Sequence, residues 1–591
     1  MKKFFRLITH FKTSIIISWK ASPWIFSLRI FYEIISVILP IYISFIIKNI
    51  IDIITINFEE KKFISLVIIF GVLQLTSITF SRVSTFLNGV HNDKINNYIK
   101  MEILKKVNSL DISYFDNPEF YNEIQNANRD SKSMQSLTWI ITSMMKGIVQ
   151  IISCGIIIFN LHWSFPFIFF LLNLPSVFID KKMVKKKYDW QLQRVENERK
   201  IGYIEGILQN RVFAQEIRVF NTKEYLLNKH QEYWKKWNLE KNKIEFLRTV
   251  FAVLSGLLPF FIDVFIIIYL GFNVFYGTIT IGSFTYYRSI VSQYKSGINA
   301  FLMTFNSGYE SEMKLTHYKN FLSWKSNIED SGSRKLEKIE TIDFENVSFQ
   351  YPNTNIQIIK NISLHIGKNE KLALVGLNGA GETTLIKLLL RLYEPSSGKI
   401  YINKINISEY SIESLRKQFG IIFQEFCRYN FTLREMIAMS DISQINNDEQ
   451  IIKACDNSDI DVSDITIFPD RLETVLGKIF KKDGVELSVG QWQKLAIGRS
   501  YFNDSSFMIM DEPNSALDPE AENRVLQNIA KACHDKGGII ITHRLSSISI
   551  ADKIAVINSG IITEYGTHEE LMEKKGEYYK LFTFQSSKYQ F

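Results

Sequence analysis

The glycine-rich stretch at residues 376–384 has the composition of a phosphate-binding loop. A short apolar run, Leu372–Val375, predicts a buried strand before it, and from Thr383 the apolar spacing becomes that of a helix. Glycines let backbone N–H groups close around an anion, and the helix dipole adds positive potential at the helix N-terminus. The candidate phosphate-binding residues are Gly376, Asn378, Gly379, Ala380, Gly381, Glu382, Thr383 and Thr384.

One position of this loop departs from the common pattern. The pattern G-x-x-x-x-G-K-[ST] fits at Gly376, at Gly381 and again at Thr383, but glutamate occupies residue 382, where the pattern has lysine. An anion therefore stands where a cation is expected. Because of this departure the loop is a weak signal on its own, and its interpretation depends on the elements around it.

Length and charge favour a membrane-associated protein with more than one domain. The 591 residues carry a formal net charge of +8, and 46% of them are hydrophobic. Basic residues are concentrated in loops beside apolar segments, which makes the membrane surface a better partner than nucleic acid. The four cysteines form no C-x-x-C pair, which argues against a disulfide scaffold or a zinc site.

Six apolar stretches in the first half are long enough to cross a bilayer, which takes roughly 20 residues. The loops at 83–136 and 183–246 are long and basic, so we expect these loops, the N-terminus and everything after residue 308 on the cytoplasmic side. The alternative, buried core helices of a soluble protein, does not explain the asymmetry of the loop charges. The stretches lie at 22–47, 63–82, 137–160, 162–182, 247–274 and 281–308.

Polar residues within these stretches are candidates for a transport path. Arg29 and Glu33 are one helical turn apart and could pair. Charged residues inside spans usually face a bundle interior or a wet cavity, and the alternatives are snorkelling to the headgroups or structural ion pairs. The other candidates are Asp263 in the fifth stretch and Arg288, Gln293 and Lys295 in the sixth.

From residue 341 the pattern becomes that of an α/β domain. Asn327–Lys338 is charged and interrupts the preceding helical periodicity, so we place a linker at 327–340, between a transmembrane domain at 1–326 and a nucleotide-binding domain at 341–591. Short apolar strands then alternate with helical patterns. The predicted fold is a membrane α-helical bundle followed by an α/β phosphate-loop domain.

The order of motifs in the second half resembles that of the ABC ATPase domain, over about 342–585. LSVGQ at Leu487–Gln491 resembles the signature motif LSGGQ, and FMIMDE at Phe507–Glu512 resembles the apolar strand that ends in an aspartate and a glutamate. SALD at Ser515–Asp518 resembles the loop that crosses the dimer, and His543 matches the switch histidine.

This resemblance implies ATP and Mg²⁺ as cofactors. Glu512 would orient or deprotonate the attacking water, with His543 and Gln424 as further catalytic residues. Thr383, Gln424 and Asp511 would associate with Mg²⁺. The other nucleotide contacts would be Tyr351 at the adenine ring and, across a dimer, Ser488, Gly490, Gln491 and Asp518.

The first half resembles the membrane domain of ABC exporters. Leu110–Ala127 and Ala214–Leu226 resemble the intracellular loops of that family, which implies coupling elements near 115–122 and 212–222; the alternative is solvated helices. The whole chain looks like a half-transporter that forms a homodimer or heterodimer in the bacterial cytoplasmic membrane. Its N-terminus and ATPase domain would lie in the cytoplasm.

The expected cargo is a peptide, not nucleic acid. Phe423–Ile442 and Glu486–Ser500 resemble the corresponding stretches of lantibiotic and other peptide bacteriocin exporters, although stretches in the ATPase half say little about cargo. One alternative is half of a multidrug or lipid exporter. Another is a catalytically weak partner subunit of a heterodimeric exporter.

Glu382 is expected to impair the nucleotide site. The family's lysine neutralises phosphate, and two unit charges ~4 Å apart interact by about 4 kcal/mol at an effective dielectric constant of about 20. Glutamate loses this attraction and adds a comparable repulsion. Three explanations stay open: an engineered or accidental inactivating change, a heterodimer whose other site hydrolyses ATP, or a substitute cation from Lys387 or Lys371.

Overall fold

The computed structural model divides the chain into two compact units. Unit 1 comprises Met1–Ser109 and Pro118–Lys325, and unit 2 comprises Leu110–Asn117 and Ser326–Phe591. The structure describes all residues except 1, 134, 194, 329, 331, 353, 378, 513–523, 525–526, 528–529, 531–534, 543, 545–547 and 587–591.

Unit 1 is helical throughout its described elements. Its longest helices combine apolar and polar stretches, because they run on beyond the apolar segments predicted to cross the bilayer. The helices are α1 (Lys2–Ala21), α2 (Pro23–Thr55), α3 (Glu60–Asn108), α4 (Pro118–Ser133), α5 (Gln135–Leu161), α6 (Phe165–Gln193), α7 (Val195–Gln209), α8 (Arg211–Val219), α9 (Lys223–Phe275) and α10 (Ile281–Ser323).

Four of the six predicted spans lie in helices that are long and apolar enough to cross a membrane, counting only the described residues. These are α2, α3, the Thr142–Leu161 part of α5, and α9. The predicted fourth span contains a shorter apolar helix, Phe165–Pro175, and α10 is not among the four. Arg288 and Lys295 lower the hydropathy of α10. The fourth span, whose apolar helix is short, and the sixth span, in α10, therefore stay predictions from the sequence.

Helix α10 packs closely along α5 at a pair of glycines. A Cβ atom added at Gly147 would lie 2.9 Å from backbone atoms of Gly297 and Phe301, and one added at Gly297 would lie 2.9 Å from the side chain of Gln150. Small residues let two helix backbones approach in this way. The apolar face of α10 beside this contact, with Ile290 and Ile298, is fully buried.

The predicted Arg29–Glu33 pair is not formed. Arg29 is 1% exposed and its Nη2 donates to the hydroxyl of Thr142 at 3.4 Å, whereas Glu33 accepts from Ser84 at 3.2 Å and lies 3.9 Å from the ammonium of Lys146. Contacts across helices therefore replace the contact within α2. The two side chains tie α2 to α3 and α5.

The described part of unit 2 contains two sheets. The six-stranded sheet has the order β10-β9-β3-β8-β7-β6, and β3, β8, β7 and β6 are parallel neighbours. The other sheet has the order β2-β1-β4-β5 with antiparallel pairing. The strands are β1 (Ile342–Gln350), β2 (Gln357–Ile366), β3 (Lys371–Gly376), β4 (Ser397–Ile402), β5 (Ile405–Asn406), β6 (Phe419–Ile422), β7 (Phe507–Asp511), β8 (Gly537–Ile541), β9 (Lys553–Asn558) and β10 (Ile561–Gly566).

Helices of unit 2 cover these sheets and carry the predicted motifs. The core is built from strand residues and from the face of α11 that contains Leu385, Leu388 and Leu389, in agreement with the helical apolar spacing predicted from Thr383. Because β3 and β7 run parallel, their carboxyl ends lie at the same edge of the sheet, where the candidate site forms. The described helices are α11 (Glu382–Leu389), α12 (Ile412–Lys417), α13 (Leu433–Ala438), α14 (Asp448–Asn457), α15 (Val489–Phe502), α16 (His568–Lys574) and α17 (Glu577–Ser586).

Candidate nucleotide site

The phosphate loop connects the end of β3 to the start of α11. Gly379 has φ +83° and Gly381 has φ +113°, a left-handed region that favours glycine. The Ala380 N–H donates to the Leu377 carbonyl at 2.9 Å and tightens the turn. The predicted strand, glycine loop and helix are confirmed, although α11 begins at Glu382 rather than Thr383. Asn378, a predicted phosphate ligand, lies outside the described residues.

Glu382 is folded into this loop without a compensating cation among the described residues. The residue is 7% exposed, and its Oε1 atom has no hydrogen-bond partner within the part of the chain that the structure describes. The same Oε1 occupies the space where a Cβ atom on Gly376 would lie. Burial, as the largest cause, and the negative charges of Asp511 and Glu512 together raise the pKa of Glu382 to about 7.

Thr383 and Asp511 form the oxygen pair that the resemblance assigns to Mg²⁺. The Thr383 hydroxyl donates to Oδ2 of Asp511 at 3.0 Å, and Asp511 is 3% exposed at the end of β7. Hydroxyl and carboxylate oxygens are ligands that Mg²⁺ accepts, together with phosphate oxygens and water. The residues present therefore fit a magnesium ion that arrives with a nucleotide.

Gln424 and Glu512 meet at the same edge of the sheet. Gln424 Nε2 donates to Oε2 of Glu512 at 3.1 Å. Glu512 has φ +48°, an uncommon backbone conformation for glutamate, and its N–H donates to the Ile541 carbonyl at 3.0 Å. This backbone turn places the side chain beyond the end of β7, next to Asp511. His543, the third predicted catalytic residue, lies outside the described residues.

Tyr351 is anchored to α11 by its hydroxyl group, which shares a hydrogen bond of 3.0 Å with the Thr384 hydroxyl. The ammonium of Lys387 lies 5.5 Å from the centre of the Tyr351 ring, and the Tyr393 ring lies 5.2 Å from it nearly perpendicular. The half-buried ring therefore belongs to an aromatic and cationic cluster. Tyr351 thus lies beside the helix that starts at the phosphate loop.

Neither lysine considered as a substitute cation lies at residue 382. Lys387 is directed to the Tyr351 and Tyr393 rings, 5.5 and 6.0 Å from their centres. Lys371 begins β3, and the six residues of this strand, at ~3.3 Å each, separate it from the loop. These contacts give no support to a substitute cation, and all three explanations of Glu382 stay open.

The signature segment begins helix α15. Ser488 is its N-cap: the Ser488 hydroxyl accepts from the Gln491 N–H at 3.2 Å, and the Gln491 side chain accepts from the Ser488 N–H at 2.8 Å. Val489, which replaces a glycine of the family motif, is 48% exposed and needs no space in the core. The helix start, including Gly490, is thus formed. Asp518 and the rest of Ser515–Asp518 lie outside the described residues.

The first predicted coupling element, near 115–122, is divided between the units: its residues up to Asn117 belong to unit 2, and those from Pro118 belong to α4 of unit 1. Within Leu110–Asn117, a 3₁₀ helix spans Ile112–Asp116. Asp111 accepts hydrogen bonds from the Ser326 hydroxyl and from the Asn327 N–H at 2.5 Å. These contacts attach the segment to the residues that lead into β1.

Tyr393 joins this segment to the aromatic cluster. Its hydroxyl donates to Oδ2 of Asp116 at 2.6 Å, and its ring touches that of Tyr351. A cavity of about 310 Å³ lies beside them. Sequence reasoning placed Asp116 in a coupling element but missed Tyr393 and the contact between them, because no local spacing connects residues that are 277 positions apart.

The second predicted coupling element is α8 of unit 1. The Asn210 side chain caps it by accepting from the Val212 N–H at 2.9 Å. Three apolar side chains at its ends are exposed: Val212 by 77%, Val219 by 78% and Phe220 by 69%. Large apolar side chains exposed together mark a surface that packs against something else.

Comparison with known families and structures identifies the class of protein. A family profile described as "ABC transporter transmembrane region" matches residues 26–296, and one described as "ABC transporter" matches residues 359–515. A bacterial Atm1-family ABC exporter structure with ATP bound superposes with a TM-score of 0.80 over 95% of this chain and 98% of that one, at 18% identity. The fold is therefore that of an ABC exporter.

Curated relatives extend the similarity over nearly the whole chain. The chain is 33% identical to the subtilin transport ATP-binding protein SpaT of Bacillus subtilis over 93% of its length and 90% of that protein. It is 28% identical to the nisin transport ATP-binding protein NisT of Lactococcus lactis, over 93% and 91%. It is also 26% identical to the ATP-dependent lipid A-core flippase of Escherichia coli K12, over 88% of both.

The chain belongs to the ABC transporter family. Its helical membrane domain precedes an ABC-type ATPase domain whose activity is coupled to transport. With helices apolar enough to cross a bilayer, it is an integral membrane protein. The family resemblance of the motifs in the second half is thereby confirmed.

Proposed function

We propose that the chain is a half-transporter that exports a peptide across the bacterial cytoplasmic membrane, and that Glu382 holds its own phosphate loop in a weakly active state. The proposal of peptide export is supported by similarity to the subtilin and nisin transport proteins through both the membrane and the ATPase regions. The basic residues of the loops support a cytoplasmic location for the N-terminus and the ATPase domain.

We propose a distinct role in ATP hydrolysis for each group of site residues. When bound together with ATP, a magnesium ion would supply positive charge that neutralises the phosphates. Thr383 and Asp511, already within hydrogen-bond distance, would hold the ion, and the loop residues Gly376, Gly379, Ala380, Gly381 and Thr384 would surround the phosphates. Glu512, positioned by Gln424, orients the attacking water, and His543 donates to the γ-phosphate.

Glu382 opposes the binding of the ATP phosphates in the loop. Its carboxylate lies inside the loop, and the neighbouring Asp511 and Glu512 already supply negative charge. A triphosphate entering the loop meets three carboxylates and no lysine from position 382. We infer that Mg·ATP binds weakly here, while Thr383, Asp511, Gln424 and Glu512 keep an arrangement that suits hydrolysis.

Dimerisation is part of the proposal. The Ser488 hydroxyl and the N-terminus of α15 are exposed in the single chain, as expected of groups that complete a site on another chain. The exposed apolar side chains of α8 support a docking role of the same kind. When ATP closes two such domains on each other, the coupling elements near 115–122 and 212–222 would move. This movement would open the transport cavity of the membrane domains outward.

A lipid cargo is the second candidate. The similarity to the lipid A-core flippase covers 88% of both chains and includes the membrane region, which is the region that meets the cargo. The lower identity, 26% against 33%, favours the peptide. A third possibility, a regulatory subunit that never hydrolyses ATP, is opposed by the Thr383–Asp511 and Gln424–Glu512 contacts.

The test uses a Bacillus subtilis strain that lacks its subtilin transport protein. This strain would receive the chain as it stands, the chain with Glu382→Lys, or the latter with Glu512→Gln as an inactive control. We expect subtilin in the medium only with Glu382→Lys alone. Active ATPase in membranes without exported subtilin would overturn the peptide assignment, and lipid transfer by the same preparation would establish the alternative.

A further inference from the structure

A polar cavity of about 460 Å³ lies between α9 and α10 of unit 1. Val291 and five polar residues of α10 line it, and most of the polar residues follow one another at three or four positions, so they share one face of the helix: Arg288, Ser292, Lys295, Ser296 and Asn299. The opposite face of α10, with Ile290 and Ile298, is buried in the core. The last predicted span therefore has a polar face and an apolar face.

The charges in this cavity do not cancel. Lys295 forms an ion pair with Asp263 of α9 and also donates to the Pro259 carbonyl at 3.4 Å. Arg288 lies seven residues before Lys295, which is about two helical turns. In the described part of the chain it has no ion-pair or hydrogen-bond partner. With one aspartate and two basic side chains, the cavity carries a net charge of +1.

The position of this face in a predicted span restricts what can cover it. Ser292, Ser296 and Asn299 are exposed in the single chain, as is Arg288. A guanidinium group facing hydrocarbon is costly, and such groups line wet cavities or meet a counter-charge. The face must therefore be in contact with water, with an anionic ligand, or with both in turn.

The other polar residue of the sixth stretch does not belong to this face. The Gln293 amide donates to the hydroxyls of Ser44 at 3.2 Å and Ser289 at 3.3 Å, and so ties α10 to α2. Gln293 thus has a structural role, whereas Arg288 has donors to spare. The two candidates from the sequence are separated by their contacts.

The geometry points to an anion-binding site at Arg288, which takes a carboxylate group of the transported molecule. A guanidinium presents parallel N–H donors that match a carboxylate, and the Ser292 and Ser296 hydroxyls and the Asn299 amide supply further hydrogen bonds. The Asp263–Lys295 pair forms the inner wall without adding net charge. That the carboxylate belongs to a peptide rests on the proposed function; the anion site itself does not.

The test measures the charge preference of a thiol placed in the cavity. Ser292→Cys is introduced into the full chain with Cys154, Cys427, Cys455 and Cys533 replaced by serine, reconstituted in lipid vesicles. Anionic sulfonatoethyl and cationic trimethylammonioethyl methanethiosulfonates are compared. Relative to free cysteine, we expect about a tenfold preference for the anionic reagent, the effect of one nearby unit charge in a wet cavity.

Two variants and a competitor make the result specific. Arg288→Gln should abolish the preference, while Arg82→Gln, which removes an exposed charge from α3, should preserve it. N-acetylglutamate should slow labelling and N-acetylglutamine should not. Absence of labelling, or a preference unaffected by Arg288→Gln, would overturn the proposal. Labelling does not depend on export, so failure of the peptide assignment would leave the anion site standing.

Discussion

Two carboxylates of this chain are treated in opposite ways by their surroundings. Asp263, in a helix apolar enough to cross the bilayer, is paired with the ammonium of Lys295. Glu382, in the ATPase unit, is 7% exposed and has no ion pair in the described part of that unit. The more apolar segment thus contains the better compensated charge.

The difference reflects what each site is built to hold. A charge in a membrane must be compensated by the protein itself, because lipid offers no alternative. The phosphate loop instead binds an anionic ligand. In the family, its lysine supplies the cation that pairs with the phosphates. The backbone of the loop, with left-handed Gly379 and Gly381, is formed despite Glu382. The missing positive charge in the loop is therefore caused by one side chain and not by the fold.

The largest effect should come from breaking the compensated pair. Lys295→Met would leave Asp263, which is not fully buried, without its partner inside a predicted span, where a lone aspartate costs roughly 3 kcal/mol. We expect a clearly lower unfolding temperature of the detergent-solubilised protein. The double variant Lys295→Met with Asp263→Leu should recover most of the loss. A single variant that is no less stable than the double would show that Asp263 needs no partner.

A smaller effect with the opposite sign is expected at Glu382. Its pKa is raised from 4.5 to about 7, so the folded state holds the proton more tightly than the unfolded state, and stability falls as the pH rises between these values. Glu382→Gln should therefore stabilise unit 2 at pH 8 by up to about 3 kcal/mol and leave it nearly unchanged near pH 4.

Hydrogen exchange of the β3 amides provides the measurement for this second prediction. The difference in protection between the Gln and Glu chains should grow with pH and level off above pH 7. Glu394→Gln, at an exposed carboxylate paired with Arg391, is the control and should show no such growth. Equal protection of the two chains at pH 8 would contradict the buried, uncompensated carboxylate.

A third carboxylate should give the smallest effect. Asp116 has no ion-pair partner among the described residues, but it accepts a hydrogen bond from Tyr393 at 2.6 Å. Tyr393→Phe removes one bond to a charged group, worth about 1.5–3 kcal/mol, and exchange of the Leu110–Asn117 amides should rise by about tenfold or more. Tyr351→Phe loses a hydroxyl of the same cluster without touching Asp116, and should leave these amides protected.

Features set by neighbouring residues were predictable from the sequence. The loop between β3 and α11 and the Asp511–Glu512 strand end follow from glycines and apolar runs that are local. The direction of the Lys387 side chain and the Tyr393–Asp116 contact depend on elements far apart in the chain. So does the exchange of an Arg29–Glu33 pair for contacts with Thr142 and Lys146, because only packing decides which helices meet.

The length of the spans was predictable only in part. Helix α10 continues to Ser323, far beyond the apolar stretch that ends near residue 308, since a helix need not end where the bilayer does. Its polar residues also lower its mean hydropathy, so that hydropathy alone does not identify the span. The structure instead reveals α10 as the helix with one face in the core and one in a polar cavity.

The measurement that bears most directly on the account is Mg·ATP binding at pH 8 by the purified chain in lipid, beside Glu382→Gln and Glu382→Lys. Gln removes the repulsion, and Lys also restores the attraction. We predict affinities in the order Lys, Gln, Glu, with Lys at least about a hundredfold tighter than Glu, or ~2.7 kcal/mol. Affinities of the Glu and Lys chains within twofold of each other would contradict the claim that Glu382 disables this loop.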